Sequence, residues 1–220
     1  GRVAVTMRKN AAANPRAMMR EPISIADHQA SRMIVEPFHL LDICLESDGA
    51  CAVLVTSAKR ARDLKRPPVH IMGAAYGGGP DQGDDLFDVI RWPDPSHNYA
   101  KYIADDLWGG AGIGPGDVDV AEIYDCFTYS VLMQLEGLGF CAEGEGGPFV
   151  EDGGIDPKGG LPTNTHGGLL SEAYIHGFNH VIEAVEQLRG SAGPRQVAGA
   201  EIALTTAGAM TCGSALVLRR

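Results

Sequence analysis

Aromatic side chains are scarce in this sequence, at 6% of its 220 residues, and it has no basic excess. Paired cysteines and long apolar runs are missing too, and each shortage excludes something. The five cysteines, Cys44, Cys51, Cys126, Cys141 and Cys212, form no Cys-x-x-Cys pair and keep no regular spacing. An odd count without a framework reads as reduced thiols rather than a disulfide scaffold or a structural zinc site. No stretch approaches the roughly 18 apolar residues of a membrane-spanning helix. The first residues lack the basic-then-apolar layout of a signal peptide, so a cytoplasmic setting is expected. A formal net charge of −10 argues against nucleic acid as a partner, because phosphate binding needs a basic face. No repeat of fixed period and no low-complexity tract is visible.

What is present suits a tightly turned α/β protein: 45% hydrophobic residues, enough for a core, and 29 glycines. Residues 1–34 are basic and Met-rich, show no sustained period, and read as a piece whose earlier half lies elsewhere. Their cations, Arg2, Arg8, Lys9, Arg16 and Arg20, form either a polyanion anchor such as coenzyme A would need or a solvated surface segment. Ala50–Val55, after the turn signal Ser47-Asp48-Gly49, is a continuous apolar run that predicts a strand buried on both faces. Ser57 is a plausible N-cap for a helix through Ala58, Ala61 and Leu64, stopped by Pro67-Pro68.

Further strands are predicted at 69–76, 117–123, 201–206 and 212–218, with a tight hairpin-like connection at 207–211 between the last two. Helices are predicted at 97–107, ended by Gly109-Gly110, at 130–138, and at 178–188, ended near Gly190. The Gly77–Asp85 loop is a weak dinucleotide signal, because no helical pattern follows it. Residues 141–162 read as a long irregular, functional or mobile stretch. Strands alternating with helices predict an α/β layered domain.

The chemistry concentrates in 164–177, where Gly167-Gly168, Tyr174 and the histidines His166 and His176 occupy one loop-to-helix passage. A Gly-Gly entering a helix lets backbone N–H groups approach a ligand. His176 and His180 have the i, i+4 spacing of a metal pair but no evident third ligand. They read as surface or core histidines, and no metal is expected. His166 either contacts a ligand or braces the loop. Asp125 reads as a solvated turn acid or as an orienting group for a neighbour. His28, His39, His70 and His97 have no constellation around them. Met18, Met19 and Met33 are filler or the lining of an apolar tunnel. Val181, Ala184, Val185 and Leu188 form an apolar stripe expected to face the core.

On these stretches the chain resembles the C-terminal half of a thiolase. Glu122–Phe127 sits where thiolases carry Asn-Glu-Ala-Phe. Asn164–Gly177 sits where they carry Asn-x-x-Gly-Gly-x-x-x-x-Gly-His-Pro-x-Gly. Ala207–Leu218 takes the place of the Cys-x-Gly-Gly-Gly-x-Gly turn and last strand, and Ser47–Ala52 that of an Asp-Gly-Ala-Ala strand. The resemblance is to the sterol-carrier, lipid-transfer-protein branch, and within it to actinobacterial aldolases that shorten steroid side chains. It implies a layered αβα thiolase-like fold, with 1–68 ending an incomplete N-terminal and loop region and 69–220 forming the C-terminal domain.

It also implies roles for particular residues. Tyr174 stands at the thiolase histidine, Tyr124 at the asparagine, and Ala207 at the acid–base cysteine. Without that thiolate a Claisen condensation loses its base. Two tyrosines in one acyl-CoA pocket instead suit retro-aldol cleavage of a β-hydroxyacyl-CoA to a ketone and a short acyl-CoA such as propionyl-CoA. Tyr124 and Tyr174 are the expected catalytic pair, with Tyr174 as base and Tyr124 as acid, or the reverse. His166, His176, Asn164 and Gly208 are the supporting candidates, Asn164 by tying down the loop. The base requires a pKa below the usual value of about 10, to which the helix start after Gly167-Gly168 would contribute. No covalent cofactor is implied, only the CoA thioester as substrate carrier. A homodimer and a zinc-ribbon/OB-fold partner protein are implied as well. The alternatives are a degenerate Claisen thiolase using a cysteine outside this chain and a non-catalytic acyl-CoA-binding or scaffold subunit.

Overall fold

The computed structural model describes residues 1–81 and 88–220. In chain order the helices are α1 (Arg2–Ala12), α2 (Ile25–Ala30), α3 (Ala58–Ala61), α4 (Tyr99–Ala111), α5 (Thr128–Gly137), α6 (Gly146–Glu151), α7 (Gly168–Ser171) and α8 (Phe178–Leu188). The strands are β1 (Met33–Val35), β2 (Phe38–His39), β3 (His70–Gly78), β4 (Val120–Glu122), β5 (Ile202–Ala207) and β6 (Cys212–Arg219). β1 and β2 form a small antiparallel pair. The main sheet has the order β3-β6-β5-β4, antiparallel except for the parallel pair β4/β5.

Strand periodicity sorts side chains onto two cores, because successive residues point to opposite faces. Ala121, Leu204, Ala215 and Val217 face one layer with Tyr99, Ile103 and Leu107 of α4, Leu135 of α5, and Val3 and Met7 of α1. Val120, Ala203 and Leu218 face Ala184 and Leu188 of α8. The result is the layered αβα arrangement expected from the sequence. The far edge of β4 is stitched to the segment before the Gly-Gly motif. Ala121 N–H donates to the Pro162 carbonyl (3.0 Å) and Asn164 N–H to the Ala121 carbonyl (2.9 Å).

Several expectations change. Ala50–Val55 is not a strand among the described residues, and Leu54 is 82% exposed. Apolar composition alone does not supply a strand with a hydrogen-bonding neighbour. The unperiodic opening is in fact α1. Its buried face mixes Val3, Met7 and Ala11 with Thr6, Arg8 and Asn10, so an apolar period is hidden. Arg2 and Lys9 pair with Asp156, and Arg16 with Glu186. Arg8 donates to Ser171 Oγ. Four of the five cations proposed as a polyanion anchor are thus engaged within the chain.

Gly109-Gly110 lies inside α4, and the left-handed cap is Gly112, at φ 70°. Ser57 caps α3, which stops at Ala61, three residues short of Leu64. Asp117 belongs to a tight 3-10 turn rather than to β4. The irregular stretch 141–162 contains α6. Gly77 and Gly78 belong to β3, and the Gly77–Asp85 loop beyond Asp81 lies outside the described residues. Met18, Met19 and Met33 are all exposed. His28, which showed no constellation in sequence, is buried with its Nε2 2.9 Å from Asp42 Oδ1. Among the described residues no helix is long and apolar enough to cross a membrane.

Candidate active site

The site lies at the C-terminal ends of the parallel strands β4 and β5, where open α/β sheets commonly bind ligands. Leaving β4, the chain turns through Ile123-Tyr124-Asp125 before α5. The backbone of Tyr124 is held on three sides. Its N–H donates to Thr206 Oγ1 (2.8 Å), and its carbonyl accepts from Gln134 Nε2 (2.8 Å) and Ser130 Oγ (3.0 Å). Tyr174 arrives on the other loop, its N–H donating to Ser47 Oγ (3.0 Å).

The structure brings both tyrosines and His176 to one point. The two hydroxyl oxygens lie 2.7 Å apart, and His176 Nδ1 lies 3.0 Å from Tyr124 Oη and 2.8 Å from Tyr174 Oη. Tyr124 is buried, Tyr174 half-buried and His176 exposed, so the triangle runs from the interior to the surface. His176 adopts φ 51°, a left-handed conformation seldom taken by a non-glycine residue. Gly177 follows, and a Cβ there would stand 3.0 Å from Ala207 Cβ and 3.2 Å from the Tyr124 ring. Ala207 therefore packs beside the triangle as a methyl group.

Burial, and then the hydrogen bond and charge of Tyr174, hold the Tyr124 hydroxyl well above the ordinary phenol range. Tyr124 is accordingly protonated. The thiols nearby are not poised as thiolates either. Burial pushes Cys126 up to about 12 and raises Cys44. Cys126 should resist a polar thiol reagent in the native protein and react only after unfolding; labelling at the native rate of an exposed cysteine would contradict this.

The Gly-Gly turn binds an anion, but one of the chain's own. Asp125 is wholly buried, and its carboxylate accepts from Leu169 N–H (2.8 Å) and Leu170 N–H (3.4 Å). It is an orienting group and not a solvated acid. A Cβ on Gly168, which has φ 66°, would overlap that carboxylate. The helix it opens, α7, is a single turn, so the expected dipole aid to a tyrosine base is spent on Asp125 instead.

Asn164 clamps Ile123 from both sides, accepting from its N–H (2.6 Å) and donating to its carbonyl (2.8 Å). Gly208, at φ 121°, makes the turn after β5, where a Cβ would meet Gly213 Cα at 2.5 Å; it does not join the triangle. His166 is separate as well, buried with Nδ1 2.9 Å from Glu122 Oε2. His176 and His180 do not meet: one turns outward to the tyrosines, the other inward to His166, with His180 Nδ1 3.2 Å from His166 Nε2. Glu122, His166 and His180 are the group that comes close enough to suggest a metal.

Sequence reasoning missed the polar bracing around the motif. Asn10 donates to the Thr163 carbonyl (2.9 Å), and Asn14, just past the end of α1, to the His166 carbonyl (2.9 Å). On α8 the buried face carries Asn179, His180, Glu183 and Gln187 beside Ala184 and Leu188, whereas Val181 and Val185 are only half-buried. The i, i+3, i+4, i+7 spacing of His180, Glu183, Ala184 and Gln187 was the available signal. Glu183 is held below its ordinary range against its burial by Arg195, whose Nη2 lies 2.8 Å away.

A mixed sheet between helical layers, with its site at β4, β5 and the Gly-Gly loop, defines a thiolase-type C-terminal domain. The chain belongs to the thiolase family: residues 84–220 match the family described as thiolase C-terminal domain-like. It is 49% identical to the 17-hydroxy-3-oxo-4-pregnene-20-carboxyl-CoA lyase of Mycobacterium tuberculosis, over 99% of this chain and 56% of that protein. It is 48% identical to the steroid side-chain-cleaving aldolase of Thermomonospora curvata, again over 99% of this chain and 56% of that one. A solved structure titled Ltp2-ChsH2(DUF35) aldolase superposes with a TM-score of 0.93 at 46% identity, covering 99% of this chain and 57% of that chain. The chain thus spans little more than half the length of these relatives.

Proposed function

We propose that this chain carries the acid–base pair of an acyl-CoA carbon–carbon lyase, which splits a β-hydroxyacyl-CoA by retro-aldol cleavage. The observation that carries the reading is the Tyr124–Tyr174–His176 triangle, with hydroxyl oxygens 2.7 Å apart beside a methyl group, Ala207. Tyr124, held protonated, donates to Tyr174, and Tyr174 donates to His176 Nδ1. In that order Tyr174 is the group that loses its proton, stabilised by one donor and relieved by one acceptor.

The step then balances without water or free CoA. Tyr174 takes the β-hydroxyl proton and passes its own to His176. The Cα–Cβ bond breaks, the β-carbon leaves as a ketone, and the electron pair becomes a thioester enolate. Tyr124 protonates the α-carbon, and the proton on His176 returns through Tyr174 to Tyr124. Both relatives named above are lyases or aldolases of steroid substrates, which supports a steroid side-chain CoA ester as substrate and propionyl-CoA as the short product. The solved relative's title names a second component, ChsH2(DUF35), which supports a partner protein for this chain; that the partner is of the zinc-ribbon/OB-fold type is part of the proposal and comes from the thiolase-branch resemblance. Homodimerisation belongs to the same proposal.

Full-length protein, with and without such a partner, would be mixed with a steroid β-hydroxyacyl-CoA bearing a tertiary hydroxyl. Ketone and shorter acyl-CoA formed without added CoA are expected. Turnover only of a β-keto substrate with free CoA would indicate a Claisen thiolase, and saturable binding without turnover a scaffold; either overturns the reading. Within the triangle, His176→Ala is expected to cost less than loss of either tyrosine, about tenfold in kcat, since water can take its proton. An unchanged kcat would remove His176 from the relay.

A further inference from the structure

Behind the tyrosine pair three wholly buried side chains meet from three parts of the fold: Glu122 at the end of β4, His166 in the motif loop and His180 on α8. One donor atom from each lies within 4.8 Å of the other two. The sequence spacing pairs His176 with His180 as metal ligands. The fold turns His176 to the tyrosines and brings His166 and Glu122 to His180 in its place.

Each of the three carries an atom that no protein group satisfies: Glu122 Oε2, His166 Nδ1 and His180 Nε2. Buried polar atoms in native proteins are nearly all partnered, so three such atoms in one cluster point to a missing occupant. Glu122 Oε2 and His166 Nδ1 are 2.9 Å apart without the alignment of a hydrogen bond. Two donors each about 2.1 Å from one cation stand roughly 3.0–3.4 Å apart at octahedral and tetrahedral angles. The observed spacing is close to that.

The neighbouring carboxylates have donors of their own. Asp125, its Oδ1 3.4 Å from His180 Nε2, accepts the amides of Leu169 and Leu170. Glu172, its Oε2 3.5 Å from His166 Nε2, accepts from Asn14 (2.8 Å) and Asn179 (3.0 Å). Glu183 is paired with Arg195 at 2.8 Å. Glu122 differs: its Oε1 accepts from the Thr165 hydroxyl (2.9 Å), while its buried Oε2 has no donor. Leaving a buried carboxylate oxygen bare is costly, and a cation removes that cost. The two rings also touch, His180 Nδ1 standing 3.2 Å from His166 Nε2. Coordination by both rings opens this contact and puts metal–nitrogen bonds in its place.

We propose that Glu122, His166 and His180 form a buried binding site for one first-row divalent cation of the zinc class. Two imidazole nitrogens with one carboxylate oxygen suit such an ion, whereas magnesium and calcium take oxygen ligands. The cluster is wholly buried, and the Tyr124 ring lies edge to face against His180, at 6.5 Å between centroids. The ion therefore pins β4, the motif loop and α8 to one another instead of meeting substrate. These are the elements that lead to Tyr124, Tyr174 and His176. Ion binding itself is independent of the lyase reading and is expected whether or not the tyrosines catalyse.

The test uses full-length protein without a histidine tag. It is made without the zinc-ribbon partner proposed above, which would bring zinc of its own. Metal analysis of protein from zinc-supplemented cells should find one equivalent per chain. Its melting temperature should rise with the logarithm of added zinc chloride. Cobalt supplied in place of zinc should give the visible bands of a nitrogen- and oxygen-ligated ion. It should lack the intense charge-transfer band that a thiolate from Cys44 or Cys126 would add. Glu122→Gln, His166→Gln and His180→Gln should each lose the metal and the response to zinc. Only traces of metal in the parent, with a melting temperature that zinc does not move, would overturn the site, and this result needs no variant to fold. A full equivalent kept by His166→Gln or His180→Gln would overturn it too, as would a thiolate-ligated cobalt spectrum.

Discussion

Tyr124→Phe and Tyr174→Phe should each fold normally and each lose lyase kcat by about 10²–10⁴-fold, the range that general acid–base groups supply. Phenylalanine keeps the ring that packs against Leu169 and Cys126 in the small core around Tyr124. In either variant the remaining hydroxyl keeps exposed His176 as a partner, so stability should fall by only about 1 kcal/mol. Because the pair passes one proton between hydroxyls 2.7 Å apart, the double variant should be scarcely slower than the worse single one. The two single variants should differ in kind. Tyr174→Phe removes the base, and its residual rate should rise as hydroxide increases. Tyr124→Phe removes the acid and should release the enolate slowly, with solvent deuterium entering the acyl product sluggishly. Either variant at the full parental rate would end the assignment, with melting curves showing that the protein was folded in each case.

Gly168→Ala should cost about 2–5 kcal/mol and reveal who occupies the Gly-Gly turn. Its φ of 66° already disfavours a side chain, by about 1–2 kcal/mol. The new Cβ also overlaps the Asp125 carboxylate, with Asp125 Cγ at 2.7 Å, and such overpacking costs about 1–3 kcal/mol more. Denaturant unfolding of the parent, Gly168→Ala, Asp125→Ala and the double variant would measure the coupling. Removing Asp125 relieves the overlap, so the double variant should be less damaged than the sum of the singles. Strict additivity, or a Gly168→Ala protein as stable as the parent, would show that the turn holds something other than Asp125.

How far the site was legible follows from the range of each signal. Strand alternation in β5 and β6 and the apolar face of α4 act between near neighbours, and such local signals placed the four main-sheet strands, α4, α5 and α8 within a few residues while missing α1, α2 and α6. The boundaries failed where two nearby candidates compete or where a neighbour distant in sequence decides. Gly109-Gly110 reads as a stop, yet α4 continues because Gly112, with its φ of 70°, is the cap. Val53-Leu54-Val55 has the composition of a buried strand and stays exposed, for composition cannot say which edge a strand will find. α8 misled in the other direction. Its valines suggested the buried stripe, but the face turned inward answers a polar loop, so His180, Glu183 and Gln187 are buried in place of Val181 and Val185.

The sequence by itself determined the chemistry on offer: tyrosine at the two family positions, alanine in place of the thiol, and a paired glycine ahead of Tyr174. Those are properties of residue type and order, and they survive any arrangement of the chain. Tertiary structure decided what each group faces. It put Asp125 and not a ligand on the turn amides, gathered His166 and His180 into a buried cluster with Glu122 and Asp125, and raised His176 to the tyrosine hydroxyls. Several of these pairings join residues 44 to 52 positions apart, between the β4 end and the motif loop. Coulomb forces, burial and hydrogen-bond geometry act through space and not along the chain.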